Sequence, residues 1–168
     1  MTRTDNSTHS QYLTFSLGRE VFALDISKVR EVLEITPASG IPGTPDHLRG
    51  VINLRGHAVP VIEMRSKLGM ERIDDTVDTC VIILEVTLDN ETHILGALVD
   101  SVREVFEMQE QDIEPVPKMG AAINVEYING MGRQGDQFII IVDVDAVFSQ
   151  VRMPSMAESG NASPELAA

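Results

Sequence analysis

Apolar and polar residues alternate along much of this chain, in short stretches separated by turn residues. Residues 12–17 alternate as a half-buried strand does, residues 18–20 have the composition of a turn, and residues 21–24 form a second apolar stretch. Residues 48–65 repeat this arrangement, with two apolar runs on either side of Gly56. The pattern therefore predicts β-hairpins and a chain of short strands with hardly any long helix.

The hairpin predicted over residues 48–65 has one charged residue at its turn. The period of two places Arg55 on the same face as Val51 and Asn53, opposite the apolar Ile52 and Leu54. If the apolar face is buried, the rigid hairpin displays the guanidinium group beside its turn. The alternative is a solvated arginine without a function, since most exposed charges only decorate a surface.

Two segments fit the strand pattern less regularly. Residues 27–35 combine apolar residues at helical spacing with partial alternation, and we predict a short helical turn that runs into a strand. Pro60 has no backbone N–H group to donate. Its strand is therefore predicted to lie at a sheet edge or to carry a bulge.

The chain contains an internal repeat. Residues 27–35 align with residues 100–108, 73 positions further on, with five of the nine residues identical. Residues 48–63 align with residues 128–143 at an offset of 80. Such a long period indicates a duplicated small lobe rather than a solenoid. Each half supplies about five short strands, and a sheet that small must curl or pack to protect its edges. We therefore predict two small barrels pressed together.

The predicted boundaries follow from this duplication. Residues 1–10 and 151–168 are polar or rich in small residues, and both are expected to be flexible tails. The first lobe is predicted at about residues 11–76 and the second at about residues 77–150. Whether the lobes exchange strands is left open.

The composition limits the partners and the compartment. Apolar residues make up 43% of the 168 residues and aromatic residues only 4%, so the core is expected to consist of Val, Ile, Leu and Met. A net charge of -13 argues against binding to nucleic acid or to anionic lipid. There is a single cysteine, no signal-peptide pattern and no apolar run of about 18 residues, so we expect a cytoplasmic protein without direct membrane insertion.

No pattern of catalytic or metal-binding residues stands out. The four histidines are too far apart in sequence for a metal-ligand motif: His9, His47, His57 and His93. Signatures of nucleophilic enzymes are absent. Residues 130–135 match the dinucleotide-binding pattern GxGxxG, but an apolar strand follows where a helix would be needed. We attribute these glycines to a hairpin turn that needs positive φ angles, and we expect no cofactor.

Several motifs resemble those of the CheW family of chemotaxis coupling proteins. The most specific is GVINLRGHAVPVIEMR at residues 50–65, supported by FALDISKVREVLEI at 22–35, LGALVDSVREV at 95–105 and YINGMGRQGD at 127–136. The resemblance covers about residues 11–150. It implies an all-β fold of two intertwined, five-stranded SH3-like barrels that share a hydrophobic core, with one or two short helices.

The resemblance also implies a function. Family members are adaptors without catalytic activity, which couple the cytoplasmic tips of methyl-accepting chemoreceptors to the regulatory domain of the histidine kinase CheA. They support kinase activation in receptor arrays, where rings with further CheW copies are a possible partner arrangement. A small β-barrel enzyme or ligand-binding protein is the rival from another class, and it would need an internal apolar pocket with converging polar groups. CheA regulatory domains and CheV-type proteins are closer rivals, but they carry further domains for which 168 residues leave no room.

Site residues follow from the same resemblance, position by position. The receptor-binding surface is expected to include Val29, Glu31, Arg55, Val102 and Val105. Kinase-binding residues are harder to place, and Ile41 and Met119 are proposed because exposed apolar side chains beside an edge strand are typical anchors. Two alternatives remain open: Val29 and Val105 are core residues, and Glu31 pairs only with its neighbours Arg30 or Lys28.

Overall fold

The structure is a computed structural model that describes residues 9–34, 48–115 and 125–149. These residues form the following strands: β1 (His9–Leu17), β2 (Glu20–Asp25), β3 (Val29–Glu34), β4 (Leu48–Leu54), β5 (His57–Glu63), β6 (Cys80–Leu88), β7 (Glu91–Val99), β8 (Ser101–Gln109), β9 (Ile128–Gln134) and β10 (Gln137–Val142). Two short α-helices follow β5 and β10, namely α1 (Met64–Lys67) and α2 (Val144–Ser149). Short 3-10 turns lie at Ile26–Lys28, Glu110–Asp112 and Val125–Tyr127. Most of both predicted tails lies outside the described residues.

The strands form two five-stranded sheets that exchange strands between the two repeats. The first sheet has the order β8-β1-β2-β10-β9 and the second has the order β3-β6-β7-β5-β4. Each sheet combines the opening hairpin of one repeat with the last three strands of the other. The predicted all-β fold of two intertwined five-stranded lobes is thus confirmed, and neither repeat forms a complete sheet alone.

A hydrophobic core between the sheets, here called the interlobe core, holds the lobes together. Phe15 and Phe22 of the first sheet are fully buried there and stack with ring centroids 5.6 Å apart. Ile82 and Leu95 contribute from the second sheet. Alternate residues of the same strands point the other way and fill the inside of each barrel, as Ala23 does beside Phe22. The central strands are therefore apolar on both faces.

Two local predictions have different outcomes. The predicted helical turn before a strand is confirmed by the 3-10 turn Ile26–Lys28, which β3 follows directly. The prediction of an edge strand at Pro60 is wrong, because β5 lies between β4 and β7. The ladder between β5 and β7 begins only at Val61, so the missing N–H of Pro60 removes no bond on that side. The pairing of β4 with β5 carries a register shift between Leu48 and Gly50, but the extra residue, Arg49, lies on β4 and not on the strand of Pro60.

The glycines of the GxGxxG segment serve two different purposes. Gly135 lies in the turn between β9 and β10 with a φ of 63°, as the turn interpretation predicts. The interpretation is wrong for Gly130 and Gly132, which lie buried within β9. A Cβ atom at position 130 would lie 2.9 Å from the carbonyl oxygen of Glu114, and one at position 132 would overlap Met108. Close packing accounts for both glycines better than turn geometry does: position 130 lies against the connector backbone, and position 132 lies against the Met108 side chain of β8.

A charged cluster also joins the two sheets, and we call it the first clamp. Arg65 of α1 donates two hydrogen bonds to the carboxylate of Asp100, at 2.9 and 2.6 Å. The same carboxylate accepts a 2.7 Å hydrogen bond from the backbone N–H of Gly18, in the β1–β2 turn. Burial acts to raise the pKa of Asp100, but the hydrogen bonds from Arg65 and Gly18 outweigh it, and the pKa lies below its ordinary value.

No helix in the described ranges is long and apolar enough to cross a lipid bilayer.

We expect Gly130→Ala to destabilise the protein by about 1–3 kcal/mol, because the connector backbone at Glu114 must move to admit the Cβ atom. Gly135→Ala is the matched control from the same motif: its Cβ would meet open space, and only the positive φ is penalised, by about 1 kcal/mol. Urea unfolding measures both changes. Equal losses at both positions would contradict the packing explanation.

We expect Asp100→Asn to lower stability at pH 7 by about 1–3 kcal/mol, the usual range for a hydrogen-bonded charged group. Because the folded-state pKa of Asp100 is depressed, its contribution is present above the unfolded-state pKa of about 3.9 and is lost as the pH falls through the folded value. Thermal unfolding from pH 7 downwards should therefore show the two proteins converging in acid. A difference independent of pH would refute this role for the carboxylate.

Candidate functional site

The structure brings Glu31 and Arg55 together at one end of the second barrel. Arg55 Nη1 and Nη2 donate hydrogen bonds of 2.6 and 2.8 Å to the two carboxylate oxygens of Glu31. Glu31 lies on β3 and Arg55 in the turn between β4 and β5, and β3 and β4 are the two edges of the second sheet. The ion pair thus links opposite edges of the curled sheet.

The turn that carries Arg55 has a rigid geometry. Arg55 and Gly56 have φ angles of 52° and 86°, which is the pattern of a two-residue type I′ hairpin turn. The side-chain oxygen of Asn53 accepts a 2.8 Å hydrogen bond from the backbone N–H of Gly56. A positive φ is uncommon for arginine. The side-chain contacts of Arg55 and Asn53 stabilise this conformation and fix the direction of the guanidinium group.

The ion pair shifts the pKa values of both partners and remains accessible to solvent. The hydrogen bonds from Arg55 lower the pKa of Glu31, and Glu31 in turn raises the pKa of Arg55. The Arg55 side chain is 69% exposed, whereas that of Glu31 is 28% exposed. The display of Arg55 beside the turn is as predicted from the hairpin pattern. The local pairing considered for Glu31 is not the one formed, because Arg30 pairs with Glu85 and Lys28 pairs with Asp145.

The predicted valines lie along β3 and β8, on the faces turned toward the interlobe core. Val29 is paired with Leu84, and Val102 with Phe15, and both valines are partly buried against that core. Val105 is 45% exposed. Val29 and Val102 therefore have a packing role as well, whereas Val105 leaves about half of its surface to solvent.

Sequence reasoning missed Val32, which is 41% exposed on β3. It pairs with Ile82, a residue of the interlobe core, and so lies on the same face as Val29. The internal repeat held the signal for it, because Val32 corresponds to Val105 at the offset of 73. Each of the two strands thus presents one partly buried and one half-exposed valine.

The first barrel has a contact equivalent to the Glu31–Arg55 pair. Glu104 corresponds to Glu31 in the repeat, and its Oε2 accepts a 2.9 Å hydrogen bond from Nε2 of Gln134 at the end of β9. In both barrels, therefore, a glutamate on the third strand of a repeat, β3 or β8, contacts the turn end of a hairpin, β4–β5 or β9–β10. The second barrel presents a cation at this place, and the first presents a neutral amide.

The structure does not bring all the predicted site residues together. Glu31 and Val29 lie on the same strand but on opposite faces, since Glu31 pairs with Ile83 of the barrel interior. Ile41 and Met119 lie outside the described residues.

The interior of each barrel is filled by apolar side chains of its own sheet. Polar groups do converge at the buried Glu63, but they are paired with one another: its carboxylate accepts hydrogen bonds from Arg49 at 2.7 Å and Arg72 at 3.2 Å, and Arg49 also pairs with Asp75. Among residues 9–34, 48–115 and 125–149, no group of three or more His, Cys, Asp or Glu residues could hold a metal ion.

The described residues thus form a pair of filled, strand-exchanged barrels with an accessible ion pair and half-exposed valines on their surface. A family model described as CheW-like domain matches residues 11–152, and the chain belongs to this family of chemotaxis scaffold proteins. The resemblance recognised in the sequence motifs is thereby confirmed.

Relatives and solved structures agree with this assignment. The chain is 33% identical to the chemotaxis protein CheW of Klebsiella aerogenes over 143 residues, which cover 85% of this chain and 84% of that protein. The crystal structure of the scaffolding protein TtCheW from Thermoanaerobacter tengcongensis matches with a TM-score of 0.75 and 32% identity, over 88% of this chain and 92% of the other. Chemotaxis protein CheV3 of Helicobacter pylori is 25% identical over 141 residues, but only 44% of its length is matched.

Arg55→Ala should raise the pKa of Glu31 toward its ordinary value, because the hydrogen bonds from Arg55 are the main cause of its depression. Arg30→Ala is the control, since Arg30 contributes the smallest of the effects on Glu31. Carboxyl-carbon NMR titration of both variants measures the change. A pKa of Glu31 that stays low in Arg55→Ala would show that the ion pair does not persist in solution.

Proposed function

We propose that this protein couples the cytoplasmic tips of chemoreceptors to the regulatory domain of the histidine kinase CheA, as a cytoplasmic adaptor without catalytic activity. Membership of the CheW-like family supports this proposal. The observation that carries it at the level of residues is the accessible Glu31–Arg55 pair on a rigid hairpin turn. An oriented guanidinium group of this kind suits a polar contact with a partner helix.

The receptor-facing surface is proposed to combine this polar pair with Val29, Val102 and Val105. A receptor tip is helical, and a helix that docks on a protein presents an apolar stripe with charged residues beside it. The half-exposed Val105, beside the partly buried Val29 and Val102, can extend the packing of the interlobe core onto such a stripe. Arg55 and Glu31 would then fix the orientation of the helix, since charged pairs at an interface rim contribute more to specificity than to affinity.

The kinase-facing surface is proposed to include Ile41 and Met119. The argument for them is that exposed apolar side chains beside an edge strand are typical interface anchors. Rings that contain further CheW copies are part of the same proposal. Binding to each partner is expected to be modest, because several weak contacts in an array together give a high effective affinity.

The test uses the full chain in two separate binding experiments, one with a receptor-tip fragment and one with the CheA regulatory domain. We expect Arg55→Ala and Val105→Asp to weaken receptor binding by about tenfold or more, as central interface truncations do, and to leave kinase binding unchanged. Ile41→Asp and Met119→Asp should show the opposite selectivity. Isothermal titration calorimetry measures both affinities.

Arg30→Ala is the matched control for Arg55→Ala. It removes an exposed arginine from the Arg30–Glu85 pair, next to Glu31 on the same strand, and should bind both partners as the wild type does. Circular dichroism and thermal unfolding verify that each variant is folded. Wild-type protein that binds neither partner, or an Arg55→Ala variant that binds the receptor fragment normally, would refute the respective part of the proposal.

A further inference from the structure

A second charged cluster joins the sheets at the place equivalent to the first clamp. Lys28 Nζ donates a 3.0 Å hydrogen bond to Asp145 Oδ2. Asp145 Oδ1 accepts a 3.1 Å hydrogen bond from the backbone N–H of Thr87. Lys28 ends the 3-10 turn between β2 and β3, Asp145 lies in α2, and Thr87 lies near the end of β6. We call this cluster the second clamp.

The two clamps use the same three kinds of element with opposite polarity. Each clamp joins three elements. They are the crossing segment between the two sheets, the short helix after the last strand of a repeat, and the backbone of an opening hairpin, β1–β2 or β6–β7. In the first clamp the crossing residue is the acid Asp100 and the helix supplies Arg65; in the second the crossing residue is the base Lys28 and the helix supplies Asp145. Arg65 and Asp145 occupy the same repeat position, at the offset of 80.

Each clamp also lies directly before one of the two valine-bearing strands. Asp100 precedes Ser101, where β8 begins, and Lys28 precedes Val29, where β3 begins. A hydrogen-bonded charge at the residue immediately before a strand restricts the direction in which the strand begins. The strands β3 and β8 are edge strands with a neighbouring strand on one side each. The clamps therefore add a constraint that the sheet ladder does not provide.

The second clamp is the weaker of the two. Its side chains are 31% and 38% exposed, against 13% and 21% for Arg65 and Asp100. Its ion pair has one hydrogen bond between the charged groups, whereas the first clamp has two. Exposed single contacts are screened by water and salt more than partly buried bidentate ones. The start of β3 thus depends on a contact that a single substitution can remove without breaking the fold.

We propose that Lys28 and Asp145 are positioning residues for the receptor-facing surface, which hold the start of β3 so that Val29 and Glu31, on the two faces of this edge strand, are each held in a fixed position for a partner. This inference rests on the proposed receptor-binding function of β3. Neither residue needs to touch the partner. Their effect on binding comes from preorganisation, because a strand that is ordered before binding loses less entropy on binding.

The experiment compares Lys28→Met with Arg30→Met in the full chain. Both substitutions remove the charge from a 3.0 Å ion pair and keep an unbranched side chain, but the Lys28 pair joins the two sheets and the Arg30 pair joins two strands of one sheet. Hydrogen–deuterium exchange gives the protection of the β3 amides, and calorimetry gives the affinity for the receptor-tip fragment. Lys28→Arg is the conservative variant that should restore both.

We expect Lys28→Met to speed amide exchange in β3 by about two- to fivefold, while β8 stays protected. Its affinity for the receptor-tip fragment should fall by about three- to tenfold, in line with the entropy of ordering one to two side chains. Arg30→Met should change neither quantity. Asp100→Asn should increase exchange in β8 instead of β3, since it disrupts the other clamp.

The two readouts separate this inference from the proposed function. If β3 exchange in Lys28→Met equals that of the wild type, or if Arg30→Met has the same effect, the second clamp does not hold β3 and the inference is overturned. Faster exchange with unchanged affinity also overturns the positioning role. If the wild type itself does not bind the fragment, the proposed receptor function fails, whereas the exchange data still decide whether the clamp holds the strand.

Discussion

Burial of the interlobe core is the interaction on which the rest of the structure depends. The opening hairpins, β1–β2 and β6–β7, are apolar on both faces, and each needs a barrel interior on one side and the other lobe on the opposite side. Neither repeat alone can supply both. The exchange of strands between repeats meets this requirement, because each hairpin becomes the centre of a sheet completed by the other repeat. The lobes are consequently inseparable, although each resembles a small barrel by itself.

Strand exchange also decides which residues face a partner. The chain must cross between sheets after β2 and after β7, and the strands that begin at these crossings, β3 and β8, form sheet edges. Edge strands are commonly protected by charges and bulges. Here both strands carry glutamates, and both have a register shift in their pairing. The alternation of a strand turns one face toward the interlobe core, and Val32 and Val105 lie half-exposed on that face. The other face turns toward the barrel, and from it Glu31 reaches the exposed Arg55 at the barrel end.

Local sequence signals predicted local structure well. Turn chemistry located the hairpins, and the mixed periodicity of residues 27–35 correctly indicated a helical turn before a strand. The errors arose where a residue has more than one possible explanation. Proline was taken as a sign of an edge strand, but the ladder with β7 starts only after Pro60. Glycine was attributed to a turn, but Gly130 lies against the connector backbone at Glu114, and Gly132 lies against the Met108 side chain of β8.

The sequence by itself determined the strand content, the duplication and the family, because periodicity, repeats and motifs are properties of consecutive residues. It also determined that Arg55 would be displayed at a hairpin turn. Only the tertiary structure decided how the repeats exchange strands, that Glu31 pairs with Arg55 rather than with Arg30 or Lys28, and that two clamps of opposite polarity join the sheets. These contacts join residues far apart in the chain. The strand order brings them together, and that order is the one that buries both faces of the central hairpins.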